Sequence, residues 1–418
     1  MDLEDMPEEI IIYIASFLTD QDKSNLARTC RNLKRISYTK SLWEDSVVYL
    51  QLTENTDGYE IMYTSLEKRG LSLFNIDNYR SLAAHLLVIA QYWPSLICIH
   101  DFSQNEAQTG FMNITNKVMK NVRTLSLFRI DTKFTTLILS LFPFLTELDL
   151  NTTHFSDDCL SLLVSSLIPL QILRISRTDI TNQGVAFMCG SKIQDQTIMY
   201  DATASKLQTL EVLDISRCRH VSPQIWQCLS KLEKLNTVYL SSGPDVADDD
   251  EYKDLALIPT LKCIFMRDIS DPERVITQIA ESGCILEGLC LDGEIDDTST
   301  LNFREGFPDL LYLKLNSQIL TDCGLANMAF FLSRLIVIDL SGCSTISQHG
   351  IKYLAKRMDQ LKFIRILNCP AISTDIVSSM TERICIHLDS LKKRKPDLSM
   401  LQNDHQRSIW LRQILCSY

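Results

Sequence analysis

The stretch IDLSGCSTISQHGI, residues 338–351, decides how the rest of the chain is read. Ile338 and Leu340 stand two apart, so on a strand both point to one face and Asp339 to the other. A turn at Cys343 follows, Ile346 points back inward, and Ser347 has the chemistry of a helix cap at the head of Ser-Gln-His-Gly350. The unit is a strand, a turn and a helix with a single apolar side.

The spacing recurs. Anchors equivalent to Ile338 fall at Leu125, Leu148, Leu173, Leu213, Val238, Ile264, Leu289, Leu313 and Ile364, each two residues before another apolar side chain. The intervals between successive anchors are 23, 25, 40, 25, 26, 25, 24, 25 and 26 residues. All but one lie in the window of about 20–29 residues that marks leucine-rich repeats. The interval of forty is one repeat plus an insertion, placed at Cys189 to Lys206. Weaker units are read at Ile99 and Leu73. Proline punctuates the pattern at Pro94, Pro143, Pro259 and Pro308, each two residues before a leucine, because it disfavours helical geometry at the residue before it.

One such unit buries a handful of side chains at roughly 1.5–3 kcal/mol each, against about 1–2 kcal/mol of ordering cost per backbone residue, so it does not fold alone. Stacked units share an apolar ladder and pair their strands in parallel. The expected fold class is α/β: an N-terminal helical module, then a curved leucine-rich-repeat solenoid with a parallel concave sheet and convex helices. The expected divisions are 1–46 for the helical module, 47–95 for a connecting segment with degenerate first repeats, 96–390 for the horseshoe, and 391–418 for a C-terminal tail or cap. Between the paired apolar residues, Ser126, Asp149, Arg174, Asp214, Tyr239, Phe265, Cys290, Lys314, Asp339 and Arg365 should line the concave face. Glu147, Asn151, Thr237, Ser241 and Arg267 should flank them. Tyr239 and Phe265 are expected as adjacent exposed aromatics rimmed by charge, the makings of a protein-binding hot spot.

Composition bounds the function. The chain has 418 residues, 45% of them apolar, ample for a packed core. A net charge of −11 and a pI near 5.2 argue against nucleic acid as a partner. The 14 cysteines are scattered, and Met1 leads into Asp2, Glu4 and Asp5 rather than a signal peptide. Cys218, Cys343 and Cys369 recur at one repeat position, the behaviour of a small buried hydrophobe in a reducing compartment. No apolar run approaches ~18 residues, so no membrane partner is expected. The expected localisation is cytoplasmic, with KKRK at residues 392–395 a weak nuclear signal beside its reading as a solvated linker.

The first fifty residues stand apart. Asp5 with Glu8 reads as a capping box, with Pro7 tolerated in a first turn. Ile10, Ile11, Ile14, Phe17 and Leu18 follow at helical spacing, a stripe wider than one packing face needs. Thr19 with Asp22 starts a second helix carrying Leu26, Ala27 and Cys30; Leu33 and Ile36 mark a third, and Ser41 precedes Leu42 and Trp43. Three short helices cannot bury that much apolar surface among themselves, so a partner should cover the rest. The opening Leu3-x-x-x-Pro7-x-Glu spacing, the Phe17-Leu18 end of the first helix, Leu26-x-x-x-Cys30, Leu33 and Leu42-Trp43 together resemble an F-box. It departs from the frequent pattern at polar Lys23 and Ser24, and in lacking a tryptophan within Asn32 to Arg35. An F-box before cysteine-type leucine-rich repeats is similar to the substrate receptors of SCF ubiquitin ligases. That resemblance implies docking on a Skp adaptor, and through it a cullin, by Leu3, Pro7, Ile10, Ile14, Phe17, Leu18, Leu26, Cys30, Leu33 and Trp43. A protein substrate would be held by concave residues Asp149, Arg174, Asp214, Tyr239, Phe265, Arg267, Lys314, Asp339 and Arg365. The alternative is a repeat scaffold or inhibitor whose helices merely cap the stack, with no ubiquitin role.

Catalysis is not expected. There is no Gly-rich phosphate loop, His-Glu-x-x-His or Cys-x-x-Cys. No cofactor and no metal is expected, and the acidic loop at residues 243–254 lacks calcium-loop spacing. Cys343 as a nucleophile competes with a turn-packing role shared with Cys218 and Cys369, which is favoured. ICIHL at 384–388 is expected as a last strand, and SIWLRQILCSY at 408–418 as an end cap.

Overall fold

The computed structural model describes residues 6–43, 46–50, 52–53, 55–76, 82–101, 118–127, 139–194, 197–200, 207–222, 225–241, 252–304, 306–373, 376 and 384–388. Asp5, the acidic loop up to residue 251 and the tail 391–418 lie outside them. The chain forms two compact units, Met1–Thr178 and Asp179–Tyr418.

The first unit opens with α1 (Glu8–Ser16), α2 (Asp20–Leu26) and α3 (Arg31–Ile36), then a single 3-10 turn at Lys40–Leu42. Strands β1 (Val48–Leu50), β2 (Leu73–Ile76), β3 (Cys98–Asp101), β4 (Thr124–Ser126), β5 (Glu147–Asp149) and β6 (Ile172–Arg174) follow, all paired in parallel. Helices α4 (Tyr59–Arg69), α5 (Leu82–Tyr92) and α6 (Asp157–Ser165) alternate with them. Ile99, Leu125, Leu148 and Leu173 sit side by side, each 0–1% exposed. The first anchor differs by one residue from the sequence expectation. Val48 and Ile99 align with Phe74 rather than Leu73, because the Phe74 ring enters the core against Trp93 at 5.5 Å. A slip of one residue exchanges the faces of a strand.

In the second unit α7 (Asn182–Met188) is followed by an antiparallel pair, β7 (Ser191–Gln194) and β8 (Thr197–Tyr200), in the described part of the insertion. The parallel ladder runs through β9 (Val212–Asp214), β10 (Thr237–Ser241), β11 (Cys263–Ile269), β12 (Gly288–Gly293), β13 (Tyr312–Asn316), β14 (Val337–Asp339), β15 (Phe363–Ile366) and β16 (Cys385–Leu388). Helices α8 (Trp226–Leu229), α9 (Pro272–Glu281), α10 (Asp322–Phe331) and α11 (Gln348–Arg357) return the chain between strands. Leu213, Val238, Ile264, Leu289, Leu313, Ile338 and Ile364 form one continuous row, all fully buried.

Two devices repeat with the row. Four residues past six of the anchors the backbone turns left-handed, at Thr152, Arg177, Arg217, Asp268, Gly342 and Asn368. On the helix side, an aspartate of one repeat holds the helix start of the next. Asp322 accepts from the Ser347 N–H at 2.8 Å and the Ser347 hydroxyl at 2.5 Å, while Ser347 caps α11 through the His349 N–H. Asp297 does the same for Thr321 and the Gly324 N–H. Cysteine thiols tie the turns: Cys343 donates to the Leu315 carbonyl at 3.4 Å and Cys369 to that of Leu340 at 3.2 Å.

Candidate functional site

Two surfaces bring the singled-out residues together. The first is on α1. Pro7 is its N-cap residue and makes no side-chain cap bond, and Glu8 pairs with Arg35 at 2.7 Å, linking α1 to α3; the other half of the expected capping box, Asp5, lies outside the described residues. Thr19 caps α2 as expected, accepting from the Asp22 N–H. Cys30 is not on α2, which ends at Leu26; its sulfur caps α3 through the Leu33 N–H.

Ile11, Leu33 and Ile36 make the small core beneath. The other side of α1 is left to solvent: Ile10, Tyr13, Ile14 and Phe17 are 46%, 65%, 40% and 73% exposed. Spacings of three, four and seven place these four on one stripe, and Tyr13 and Phe17 meet edge to face at 5.1 Å. Pro7 is also exposed, and Leu18, Leu26 and Cys30 are half-buried. Leu33 and Trp43 point inward at 4% and 3% exposure and support the surface from below; Leu3 lies outside the described residues. Tyr13 belongs to the stripe, and its i+3 spacing from Ile10 was the signal for it.

Lys23, the polar departure in α2, is buried. Its ammonium donates to the Leu42 carbonyl at 2.7 Å and to Asp20 at 3.1 Å, and it lies 5.5 Å from the Trp43 ring. From the repeat side the Arg69 guanidinium stands 4.7 Å from the same ring and 5.2 Å from Tyr38. The helical module is thereby clamped to the first repeat helix.

The second surface is the strand position between the anchors and their following apolar residues, on the face away from the buried row. In the first unit it reads Tyr49, Asn75, His100, Ser126, Asp149, Arg174. In the second it reads Asp214, Tyr239, Phe265, Cys290, Lys314, Asp339, Arg365, His387. Tyr49, Asn75, His100 and His387 extend the column beyond the sequence reading. Arg174 pairs with Glu147.

Tyr239 and Phe265 are neighbours, but not exposed: at 9% and 8% they are nearly covered, since strands about 4.8 Å apart let their rings stack face to face, 3.9 Å between centroids. Arg267 remains exposed. The aspartates are turn-makers. Asp149, Asp214 and Asp339 each accept, through Oδ1, the N–H two residues on. For Asp339, 2% exposed, this leaves Oδ2 between Lys314 at 4.0 Å and Arg365 at 3.9 Å.

Burial pushes the Cys343 thiol up to about 12, far from a nucleophile's range. Among the described residues no three His, Cys, Asp or Glu side chains gather to hold a metal, and no helix is long and apolar enough to cross a membrane.

Residues 3–48 match the F-box-like family model. Among solved structures, the chain is similar to one in the crystal structure of the Rad7 and Elc1 complex in yeast, at 14% identity over 93% of this chain and 95% of that one, TM-score 0.43. It is also similar to the TLR13–ssRNA13 complex, at 18% identity over 77% and 46%, TM-score 0.42, and to the mouse RP105/MD-1 complex, at 11% over 82% and 62%, TM-score 0.36. No curated protein matches the chain in sequence. The chain carries an F-box-like module over residues 3–48, and the stacking of its 23–26-residue repeats on parallel strands is that of leucine-rich repeats.

Proposed function

We propose that this chain is the substrate-recognition subunit of an SCF-type ubiquitin ligase. The α1 stripe docks a Skp adaptor and through it a cullin, and the strand-column face holds a protein target for ubiquitination. The chain contributes proximity rather than bond chemistry: a held target meets the loaded conjugating enzyme at high effective concentration.

One observation carries the reading. A helix inside an F-box-like segment leaves Ile10, Tyr13, Ile14 and Phe17 uncovered on one stripe, and burying each side chain against a partner is worth roughly 1.5–3 kcal/mol at full transfer.

The test is binding of a purified Skp adaptor to the full chain and to Ile14→Asp with Phe17→Asp. The double variant should lose the adaptor by a hundredfold or more with an unchanged circular dichroism spectrum. Wild-type affinity in the folded double variant would overturn the docking assignment.

A further inference from the structure

The strand face away from the anchors is open in one set of repeats and closed in another. Strands β4, β5 and β6 each bury the anchor and leave the residue on either side of it partly exposed. In β9, β14 and β15 the residues flanking the anchor are buried as well. Those flanking side chains point away from the anchor row, because successive residues of a strand alternate between faces.

Neighbours within the sheet do not account for this cover. The residues just before the anchors make a row of their own, Val212, Thr237, Cys263, Gly288, Tyr312 and Val337. Cys263 stands between Thr237 and Gly288, which has no side chain, and is nevertheless 0% exposed. Thr237, between Val212 and Cys263, is 2% exposed. Thr124, at the same position of β4 between Cys98 and Glu147, is half-buried. Cys290, on the same face as Cys263, is 5% exposed, and burial pushes both thiols up. Stacking of Tyr239 on Phe265 hides one face of each ring and does nothing for Cys263 or Thr237. Among the described elements, each of these strands is in contact chiefly with the strands beside it.

We propose that residues 389–418 lie along this face of β9–β15, as an internal occupant of the surface assigned above to a protein target. The consequence rests on that assignment: a target must compete with the chain's own segment. Length, polarity and charge choose the occupant. Thirty residues follow Leu388 at the end of β16, the longest stretch of the second unit outside the described residues. From β16 to β9 is seven strand spacings of about 4.8 Å, roughly 34 Å, which extended chain covers in roughly ten residues. The face to be covered is largely apolar, and Ile409, Trp410, Leu411 and Ile414 match it. The acidic loop at 242–251 has only Val246 as a large apolar side chain, beside five carboxylates. Residues 389–418 hold six Lys and Arg against three Asp, a net +3 that leaves the other 388 residues at −14. Attraction to the body of the chain and the high effective concentration of a tethered segment both favour the intramolecular contact.

The experiment labels the full chain with maleimide and reads each cysteine by mass spectrometry, with p-benzoylphenylalanine at position 410 as a second probe. Neither measurement involves an adaptor or a target, so its failure is separable from failure of the ubiquitin reading. Cys263 and Cys290 should label at least tenfold faster in Trp410→Asp with Ile414→Asp than in the wild type. Cys343 should be unchanged, reporting that the repeats remain folded. A synthetic peptide of residues 399–418 should restore the wild-type rates in the variant. Irradiation should join position 410 to strands β9–β15 of the same molecule. Unchanged Cys263 and Cys290 rates beside a protected Cys343 would overturn the proposal. So would crosslinks only to the helices, or only between molecules, which would mean that a second copy covers the face. Release of the two thiols by Asp248→Asn with Asp249→Asn, and not by the segment variant, would overturn it in favour of the acidic loop. If the segment variant exposes Cys343 as well, the crosslink alone decides.

Discussion

Asp322 and Gly350 should be coupled in a way that exposes how one repeat seats the next. Asp322→Ala leaves the partly buried Ser347 N–H without its acceptor and frees the capping hydroxyl, a loss of about 1–3 kcal/mol. Gly350→Ala gains up to ~1 kcal/mol of helix propensity, but its Cβ would come within 2.3 Å of Asp322 Oδ1. Displacing that carboxylate costs roughly 1–3 kcal/mol, so the single change should be destabilising. In the double variant the obstructing oxygen is gone. The Leu325 methyl at 2.8 Å is the far end of a flexible side chain. The double variant should therefore be about as stable as Asp322→Ala alone, and the two costs should fall short of additivity by about 1–2 kcal/mol. Urea unfolding followed by circular dichroism, with amide exchange of α11 as the local readout, measures the cycle. Costs that add within about 0.5 kcal/mol would refute the idea that this carboxylate is what excludes a side chain at Gly350.

Two further outcomes follow from buried titratable groups. His85 is buried, taking the Tyr63 hydroxyl on Nδ1 at 2.7 Å and donating from Nε2 to the Thr53 carbonyl at 2.8 Å, and burial holds its pKa below the usual histidine value. The native state keeps the ring neutral while the unfolded ring takes up a proton below about pH 6.5. First-unit stability should thus fall as pH drops through that value, by at most about 1.4 kcal/mol per pH unit from this group, and His85→Gln should flatten the slope in pH-dependent chemical melts. His100 shifts the same way through burial and leaves a residual slope. Cys343, pushed up to about 12 from an ordinary 9.0, should react with maleimide at pH 8 on the order of 10³-fold more slowly than a free thiol, until urea opens the repeat. Mass spectrometry of labelled peptides, with exposed Cys323 as the internal comparison, reads this directly.

Much of this architecture is written in period and polarity. Within each unit the anchors, Leu125 to Leu173 and Leu213 to Ile364, align as their spacing required, since an apolar row that must be continuous leaves little freedom of register. Phe74 escaped because two apolar residues, Leu73 and Phe74, are adjacent, and only the Trp93 ring selects between them. The α1 stripe was legible because four large side chains at helical spacing exceed what Ile11, Leu33 and Ile36 can cover. The closure of the aromatic pair was not, because burial by a stacked neighbour on the next strand leaves no local signature. Nor was the pairing of Glu8 with Arg35, or of Asp322 with Ser347: partners 25 or more residues apart meet only once the chain is folded. Lys23 read as a polar intruder, and became an internal bolt through a carbonyl that no sequence pattern advertises.

The Arg69 guanidinium resting on Trp43 and Tyr38 sets a practical limit on dissection. A cassette cut after residue 46 would leave the indole bare on one side and strand the arginine on the other piece. Grafting the N-terminal module onto another scaffold should therefore carry the chain through Gly70, where Lys40 also packs, and excision of the module is a poorer experiment than changing single side chains on its outer stripe.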